Sequence, residues 1–579
     1  RLSGFVAPGV QELLRGRLGR LGPTARSGLF AAAVLGDGCQ FEELRRVAEL
    51  GEGEALPAID ELLAGRLLRE SRDRYVFGHD KIREVAYAEA GEARRRLYHR
   101  RALDLRAGGR APAAELARHA RAAGLGEPAF RLGVAAGDEA LNLFAAGDAI
   151  RQYEQARADG AEGSVDPAEL DHLHLQLGRA YELAADYPAA RGVYEALLAS
   201  ARRRGEAPAE CAALNRLATL AATDQLDMSA QAALLASALA VAEASGDLAG
   251  RAETEWNLAR LSLFRLELDG SLAHAERALG LARQLGLAHQ VARALNWMAL
   301  TEVLLGRWAE AEANAEEARA ACQTLGDRAM EADCLSKIAS ARIRSGRPRE
   351  GIAAARAAHA IGLATENAWA EADAAKELVL GLLECGDEAE ALAVAEGGVV
   401  AARAAGFGPL QILNTAMLGA VQRRLGQPAA ALATHEQAWA ACEAVGYPLF
   451  TELVAAELCA DHVALGAWTE AHIAARRALE ARSRHPAVYT GLARWCETEA
   501  LVRAGEVALA ADDLRRFEER IGPNRRYRVA YLRALAVLAE ARGERAEAVE
   551  RLEGARDLAE EIGLPGELRQ IEAALGGAA

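Results

Sequence analysis

The sequence predicts an all-α protein: a superhelical solenoid of about eleven helix pairs, each about 40 residues long, preceded by a small helical domain with a two-stranded wing. Three observations carry this. A loop glycine returns every forty residues, at Gly306, Gly346, Gly386, Gly426 and Gly466. Residue size repeats around it. A large apolar residue stands eight places before (Met298, Ile338, Leu378, Leu418, Leu458) and a small one five places after (Ala311, Gly351, Ala391, Ala431, Ala471). A second small one stands twelve places after (Ala318, Ala358, Gly398, Ala438, Ala478). Finally, 579 residues exceed what one core supports, and only 5% are aromatic. That suits units that bury their faces on their neighbours.

Each unit reads as a helix, a tight turn and a second helix. Small residues at fixed phase let the two backbones approach while the large one fills the gap to the next unit. This resembles the tetratricopeptide repeat, which implies a superhelix whose inner surface is lined by the first helix of each unit. About 34 residues is usual for that repeat and about 40 to 47 for HEAT or armadillo units, so both helices here are expected to be longer by most of a turn. Long-helix repeats of this kind resemble those of large bacterial signalling regulators, including maltose-responsive activators.

Taken in order, residues 1–107 stand outside the repeat. Val10 to Arg20 and Pro23 to Leu35 read as helices, the second with proline in its first turn. Phe41 to Leu50 and Glu54 to Arg66 read as two more. The period then changes, and Leu67 to Ser71 with Arg74 to Phe77 reads as a hairpin around Arg72-Asp73. Helices bracketing a wing predict a winged-helix domain. Residues 108–160 read as an irregular helical junction and first helix pair with a turn at Gly147-Asp148. Residues 161–563 carry the superhelix, with turns at Asp186, Leu226-Asp227, Leu266 to Asp269, the five glycines, Gly505 and Gly543. Residues 564–579 read as a capping helix, which an end repeat needs to hide its apolar face.

The N-terminal part bears a second resemblance. Val6 to Val10, Leu18 to Leu21, Ala31 to Gly36 and Tyr75 to Tyr87 are similar to the segment that follows the nucleotide-binding domain in signal-transduction ATPases with numerous domains, the bacterial relatives of NOD-like receptors. His79-Asp80 resembles their Met-His-Asp motif, with Gly78 in place of the methionine. The resemblance implies that His79 senses the β-phosphate of bound ADP and that Asp80 is the helix-capping acid beside it. ADP or ATP is then expected on an upstream nucleotide-binding domain, with no cofactor held by the present segment. The chain begins at Arg1 without a methionine, so it is expected to be a piece of something longer.

Charge narrows the partners. Arg and Lys number 68 against 83 Asp and Glu, for a formal net charge of −15, which argues against nucleic-acid binding by the chain as a whole. Over residues 1–110 the balance reverses to twenty against sixteen. The basic runs Arg94-Arg95-Arg96 and His99-Arg100-Arg101 are candidates for phosphate contacts, yet Phe41 to Leu50 carries three glutamates, poor chemistry for a helix entering the major groove. Eight single cysteines read as small buried thiols in a reducing cytoplasm. No apolar run approaches the roughly 18 residues of a membrane span, and no secretory signal is read.

Catalytic signatures are missing. The three lysines (Lys81, Lys337, Lys376) follow no glycine, so no phosphate-binding loop is present. G-x-S-x-G, H-E-x-x-H and a complete dinucleotide fingerprint are absent from the sequence as well. What remains is a surface. The inward-facing positions, ten and thirteen places before each turn, hold Trp256, Asn296, Ser336 and Lys376, with Glu253, Arg293, Asp333 and Asp373. Ala416, Ala456, Leu413 and Leu453 follow in the next two units. The polar stretch is the candidate site for a small-molecule inducer or a protein or peptide partner; ordinary solvated side chains are the bland alternative. Trp308 and Trp468 read as wedges between helices. The chain is therefore expected to be the cytoplasmic sensor region of such an ATPase, with a homo-oligomer on activation. The alternative is a freestanding scaffold that brings proteins together.

Overall fold

The computed structural model describes residues 8–36, 38–109, 111–143, 145–161, 165–224, 227–445, 448–484 and 491–578. These form thirty helices and one two-stranded sheet. The chain divides into two compact units, Arg1–Gln225 and Leu226–Ala579.

Unit 1 opens with α1 (Pro8–Gly19), α2 (Pro23–Leu35), α3 (Phe41–Ala48) and α4 (Glu52–Ala64). The hairpin β1 (Leu68–Ser71) and β2 (Arg74–Phe77) follows, then α5 (Asp80–Glu89) and α6 (Glu92–Ala107). Helix α2 is the centre: Leu29, Phe30 and Val34 are buried on it and meet Leu44, Leu62 and Leu67. The hairpin pairs Leu68 with Phe77 and Ser71 with Arg74. Cys39 adds a bridge to Tyr75, with N–H to O distances of 3.0 and 2.8 Å. The basic run on α6 largely serves packing. His99 is buried between the Tyr87 hydroxyl and His119, 2.9 Å from each. Arg94 lies over Phe30, Arg95 over Tyr87, and Arg101 donates to the Val47 carbonyl at 3.1 Å.

Next come α7 (Ala113–Ala122), α8 (Gly126–Asn142), α9 (Ala146–Ala161), α10 (Pro167–Leu183), α11 (Tyr187–Arg204) and α12 (Ala207–Asp224). Gly147-Asp148, expected as a turn, lies in the first turn of α9. The chain reverses a few residues earlier, where Ala145 N–H reaches back to the Ala140 carbonyl at 2.9 Å.

Unit 2 runs through α13 (Met228–Ser245), α14 (Leu248–Phe264), α15 (Leu268–Leu285), α16 (Ala288–Leu305), α17 (Trp308–Leu325) and α18 (Arg328–Arg344). It continues with α19 (Pro348–Ala364), α20 (Ala368–Cys385), α21 (Glu388–Ala405), α22 (Gly408–Arg424), α23 (Pro428–Val445) and α24 (Pro448–Leu465). It ends with α25 (Trp468–Arg484), α26 (Arg494–Arg503), α27 (Val507–Ile521), α28 (Arg525–Ala541), α29 (Arg545–Glu561) and α30 (Pro565–Ala578). Counted along the chain, α8 to α11 in unit 1 and α14 to α29 in unit 2 make ten helix pairs of the expected kind, α12 and α13 fall one in each unit, and α30 follows as the last helix.

The forty-residue period has a simple origin. Between α13 and α25, helices of eighteen residues are followed by two-residue connections and helices of seventeen by three-residue ones, so the half-period is twenty. Gly306 caps α16 at φ 77°, and Arg307 N–H reaches back to the Glu302 carbonyl at 2.8 Å, the Schellman pattern that left-handed glycine permits. The same cap recurs at the other end of the units, at Gly246, Gly286 and Gly326 with φ near 70°, and Gly406 is left-handed there too. Ala311, Ala391, Ala431 and Ala471 are fully buried where the paired helices meet. The even-numbered helices α14 to α28 lie against one another in a continuous row, which makes theirs the inner surface of unit 2.

One expectation is corrected. Helix α13 has eighteen residues with mean hydropathy 1.2, long and apolar enough by composition to match a membrane span. Its apolarity comes mostly from alanine, and it buries one stripe, Gln231, Leu235, Ala238 and Ala242, at the spacing of a packed solenoid helix.

Candidate functional site

The inward positions singled out by the repeat phase form a ladder. Residues thirteen and ten places before the turn are i, i+3 neighbours on one helix face, and the next unit repeats that face alongside. Arg293 on α16 donates to both carboxylate oxygens of Glu253 on α14, at 3.0 and 3.3 Å, and its guanidinium lies 3.6 Å from the centre of the Trp256 ring. Asn296 donates to Asp333. Lys337 then bridges Asp333 on its own helix at 2.6 Å and Asp373 on α20 at 3.0 Å. Asp373 meets Lys376 at 2.9 Å, Lys376 meets Glu377 at 2.9 Å, and Glu377 accepts from Arg344 at 2.6 Å. Seven of the eight predicted residues are thus tied into two linked sets. Ser336, 1% exposed, lies with its hydroxyl buried and without a hydrogen-bond partner among the described residues.

These charges are held in place by each other. Burial disfavours the Lys337 ammonium, but Asp333 and Asp373 outweigh it and keep the group above the usual lysine range. Burial likewise opposes the Asp373 and Glu377 carboxylates. Lys337 and Lys376 pull Asp373 well below its usual value, and Arg344 with Lys376 brings Glu377 down to about 2.

Beyond Lys376 the inner row meets the C-terminal helices. A cavity of about 150 Å³ lies between α18, α20, α22 and α24 on one side and α26, α28 and α30 on the other. Its apolar part is built by Leu380, Leu413, Met417, Leu453 and Ala456, with Trp495 beside them. Its charged lining is Arg344, Lys376, Arg423, Arg424 and Arg526 with Glu384, Glu457, Glu497 and Glu567. Arg526 donates from Nη2 to Glu384 at 2.8 Å and stands 3.4 Å from Glu567. Arg424 reaches Glu567 at 3.4 Å and the Leu383 carbonyl at 3.2 Å, while Arg533 holds the other Glu567 oxygen at 2.6 Å. Burial draws the Arg424 guanidinium below the usual arginine value despite the nearby glutamates. Burial also opposes the Glu567 carboxylate, yet the three arginines bring it down to about 2. Arg526 is 1% exposed, and its Nη1 has no hydrogen-bond partner among the described residues.

Of the predicted ligand positions only Lys376 borders this cavity. Leu413, Leu453 and Ala456, which the sequence reading set apart as the end of the polar surface, are its floor. The C-terminal helices that form its roof are fastened to helix ends many units earlier. Asn524 donates to the Arg344 carbonyl at 3.0 Å, and Tyr527 stacks on Trp308 at 5.8 Å with 7° between the planes. Arg569 reaches Glu388 and the Gly386 carbonyl. Trp308 is therefore a wedge, as expected, but between α17 and α28; Trp468 instead carries the Arg503 guanidinium at 3.8 Å.

No family model matches this sequence, and no curated protein matches it. Among solved structures, the chain is similar to a signal-transduction ATPase with numerous domains that carries a tetratricopeptide repeat sensor, from Pyrococcus horikoshii. The identity is 14% and the TM-score 0.51, over 75% of this chain and 65% of that one, so the likeness spans less than two thirds of the archaeal protein. It is also similar to the apo quorum sensor NprR from B. thuringiensis, at 15% identity and TM-score 0.43 over 60% of this chain and 97% of that one. The fold is a tetratricopeptide-like solenoid.

A second buried cluster joins α24 to α27, and its Glu497 also lines the cavity. Arg482 contacts Glu452 at 2.7 Å, Glu497 at 2.6 Å and Asp513 at 3.1 Å, and Arg494 adds Glu497 at 3.4 Å and Asp513 at 3.3 Å. Two guanidiniums face three carboxylates. Burial, against the pull of Arg482 and with Asp513 and Glu452 adding to it, pushes Glu497 up to about 8.

His79 and Asp80 stand apart in unit 1, both exposed. His79 is the N-cap of α5, its Nδ1 accepting from Lys81 N–H at 3.1 Å, and Asp80 is the first residue of the helix.

Proposed function

We propose that this chain is the sensor and regulatory region of a cytoplasmic signal-transduction ATPase with numerous domains. On this reading α1 to α6 and the hairpin form a winged-helix domain, an upstream domain binds ADP or ATP, and unit 2 receives an inducer or a protein partner on its inner surface. The observation that supports it most is the partly apolar, partly charged cavity at the end of the inner row, a feature a passive spacer does not need. The similar fold of the Pyrococcus horikoshii ATPase with its repeat sensor agrees with it.

The chemistry of His79 suits a phosphate. Because Nδ1 accepts the Lys81 N–H, the neutral ring carries its proton on Nε2, an exposed donor for a phosphate oxygen. Asp80 sits at the positive end of α5. Ligand binding would shift a closed, ADP-held monomer toward an open, oligomerising form whose output is transcription activation. That shift requires the ligand to prefer one state.

The test is nucleotide content. The full-length protein is purified and its bound nucleotide quantified by chromatography after denaturation; one ADP per chain is expected, with His79→Ala losing most of it. A full-length protein without nucleotide, or a variant that keeps it all, overturns the reading and favours a freestanding scaffold.

A further inference from the structure

We infer that the cavity between α20, α22, α24 and the C-terminal helices binds a small monocarboxylate with an apolar, ring-sized body. The inference deepens the sensor reading by naming the ligand class, and it rests on that reading only for the signal's purpose.

Size sets the first limit. A cavity of about 150 Å³ takes a body of roughly benzene size. Its floor chooses the second property: Leu380, Leu413, Met417, Leu453 and Ala456 offer no hydrogen bond, so the body they accept is apolar. The wall chooses the third. The lining carries five cations, Arg424 and Arg526 among them, against four carboxylates, Glu384 and Glu567 among them. The buried Arg526 Nη1 still lacks an acceptor among the described residues. A buried guanidinium N–H without an acceptor is costly, and a carboxylate oxygen satisfies it with a charge-assisted bond about twice as strong as one to a neutral carbonyl of the same shape. Phosphate matches the charge but leaves the floor uncovered. A neutral arene matches the floor and leaves the charge uncovered.

The probe is benzoate, with benzamide and inorganic phosphate as controls, titrated into the purified chain by calorimetry and followed by the thermal midpoint. Benzoate is expected to bind at least about tenfold more tightly than benzamide, because a site built around a buried charge rejects the analogue without it; phosphate is expected not to compete. Ala456→Phe fills the floor from α24 and is expected to abolish benzoate binding with the helical circular dichroism retained. Equal affinity for benzamide, displacement of benzoate by phosphate, or unchanged binding by Ala456→Phe each overturns the inference. Because this assay uses no nucleotide, its failure leaves the ADP measurement untouched, and a protein without ADP can still bind benzoate.

Discussion

Lys337 is an ammonium buried to 7% exposure between Asp333 and Asp373. Such a group is stable only because both carboxylates face it, and each carboxylate is stable only because a cation faces it. Replacing the partner of a buried charge leaves that charge uncompensated, which costs about 3–5 kcal/mol. Lys376 remains beside Asp373 and softens the loss, so Lys337→Met is expected to cost about 3 kcal/mol in urea unfolding. By contrast Arg356→Met, which cuts an exposed pair with Glu390, should change stability by less than about 1 kcal/mol. A Lys337→Met protein as stable as the parent would mean that the ladder is solvated rather than buried. The ladder also explains why reading residues by type found these positions but misjudged their state. An alternation of Glu, Arg, Asp and Lys at one repeat phase is visible in the sequence, whereas their mutual pairing depends on the angle between successive helices.

At the scale of the helix, the regularities legible in the sequence are those that local chemistry enforces. The turn glycines from Gly306 to Gly466 are needed for left-handed caps, and the alanines five and twelve places on are needed for close helix approach. The companion series Gly246, Gly286, Gly326 and Gly406 carries the same signal and would have divided the unit into two halves of twenty residues. What could not be read is the fastening of α28 and α30. Arg526 to Glu384 and Asn524 to Arg344 span 142 and 180 residues, and contacts made once leave no periodic trace. Gly566 is the clearest case. A methyl group there would run into the Leu383 carbonyl and the Arg424 guanidinium, so the start of α30 fits against the end of α20 only as glycine. Gly566→Ala is expected to cost about 1–3 kcal/mol, as overpacking does, and to loosen the wall of the cavity. Gly397→Ala, in the middle of α21 with open space around its Cβ position, is expected to add about 0.5–1 kcal/mol instead. Urea midpoints for the two variants should move in opposite directions.

Across the whole molecule, buried ionisable groups give the two units opposite responses to mild acid. In unit 1, burial and the nearby Arg118 lower His99 to about 4 and His119 to about 3. Unfolded, both titrate near 6.5, so the unfolded state binds more protons below that value. Their contribution is intact above pH 6.5 and is lost as pH falls toward 4. In unit 2, Glu497 lies at about 8 and an unfolded glutamate near 4.5. Here the folded state binds the extra proton, so this contribution is complete below pH 4.5 and is lost as pH rises to 8. Glu377 and Glu567, both brought down to about 2, keep their contributions until the pH drops below about 4.5, where the unfolded carboxylates take up protons first. Between pH 7.5 and 5, therefore, α5 to α7 should lose hydrogen-exchange protection while α24 to α27 gain it, once rates are corrected for intrinsic exchange. Glu497→Gln keeps the neutral form at every pH and should flatten the response of α24 to α27 without touching α5 to α7. Protection that falls in both regions together, or a Glu497→Gln protein with an unchanged profile, would place the extra proton elsewhere in the cluster.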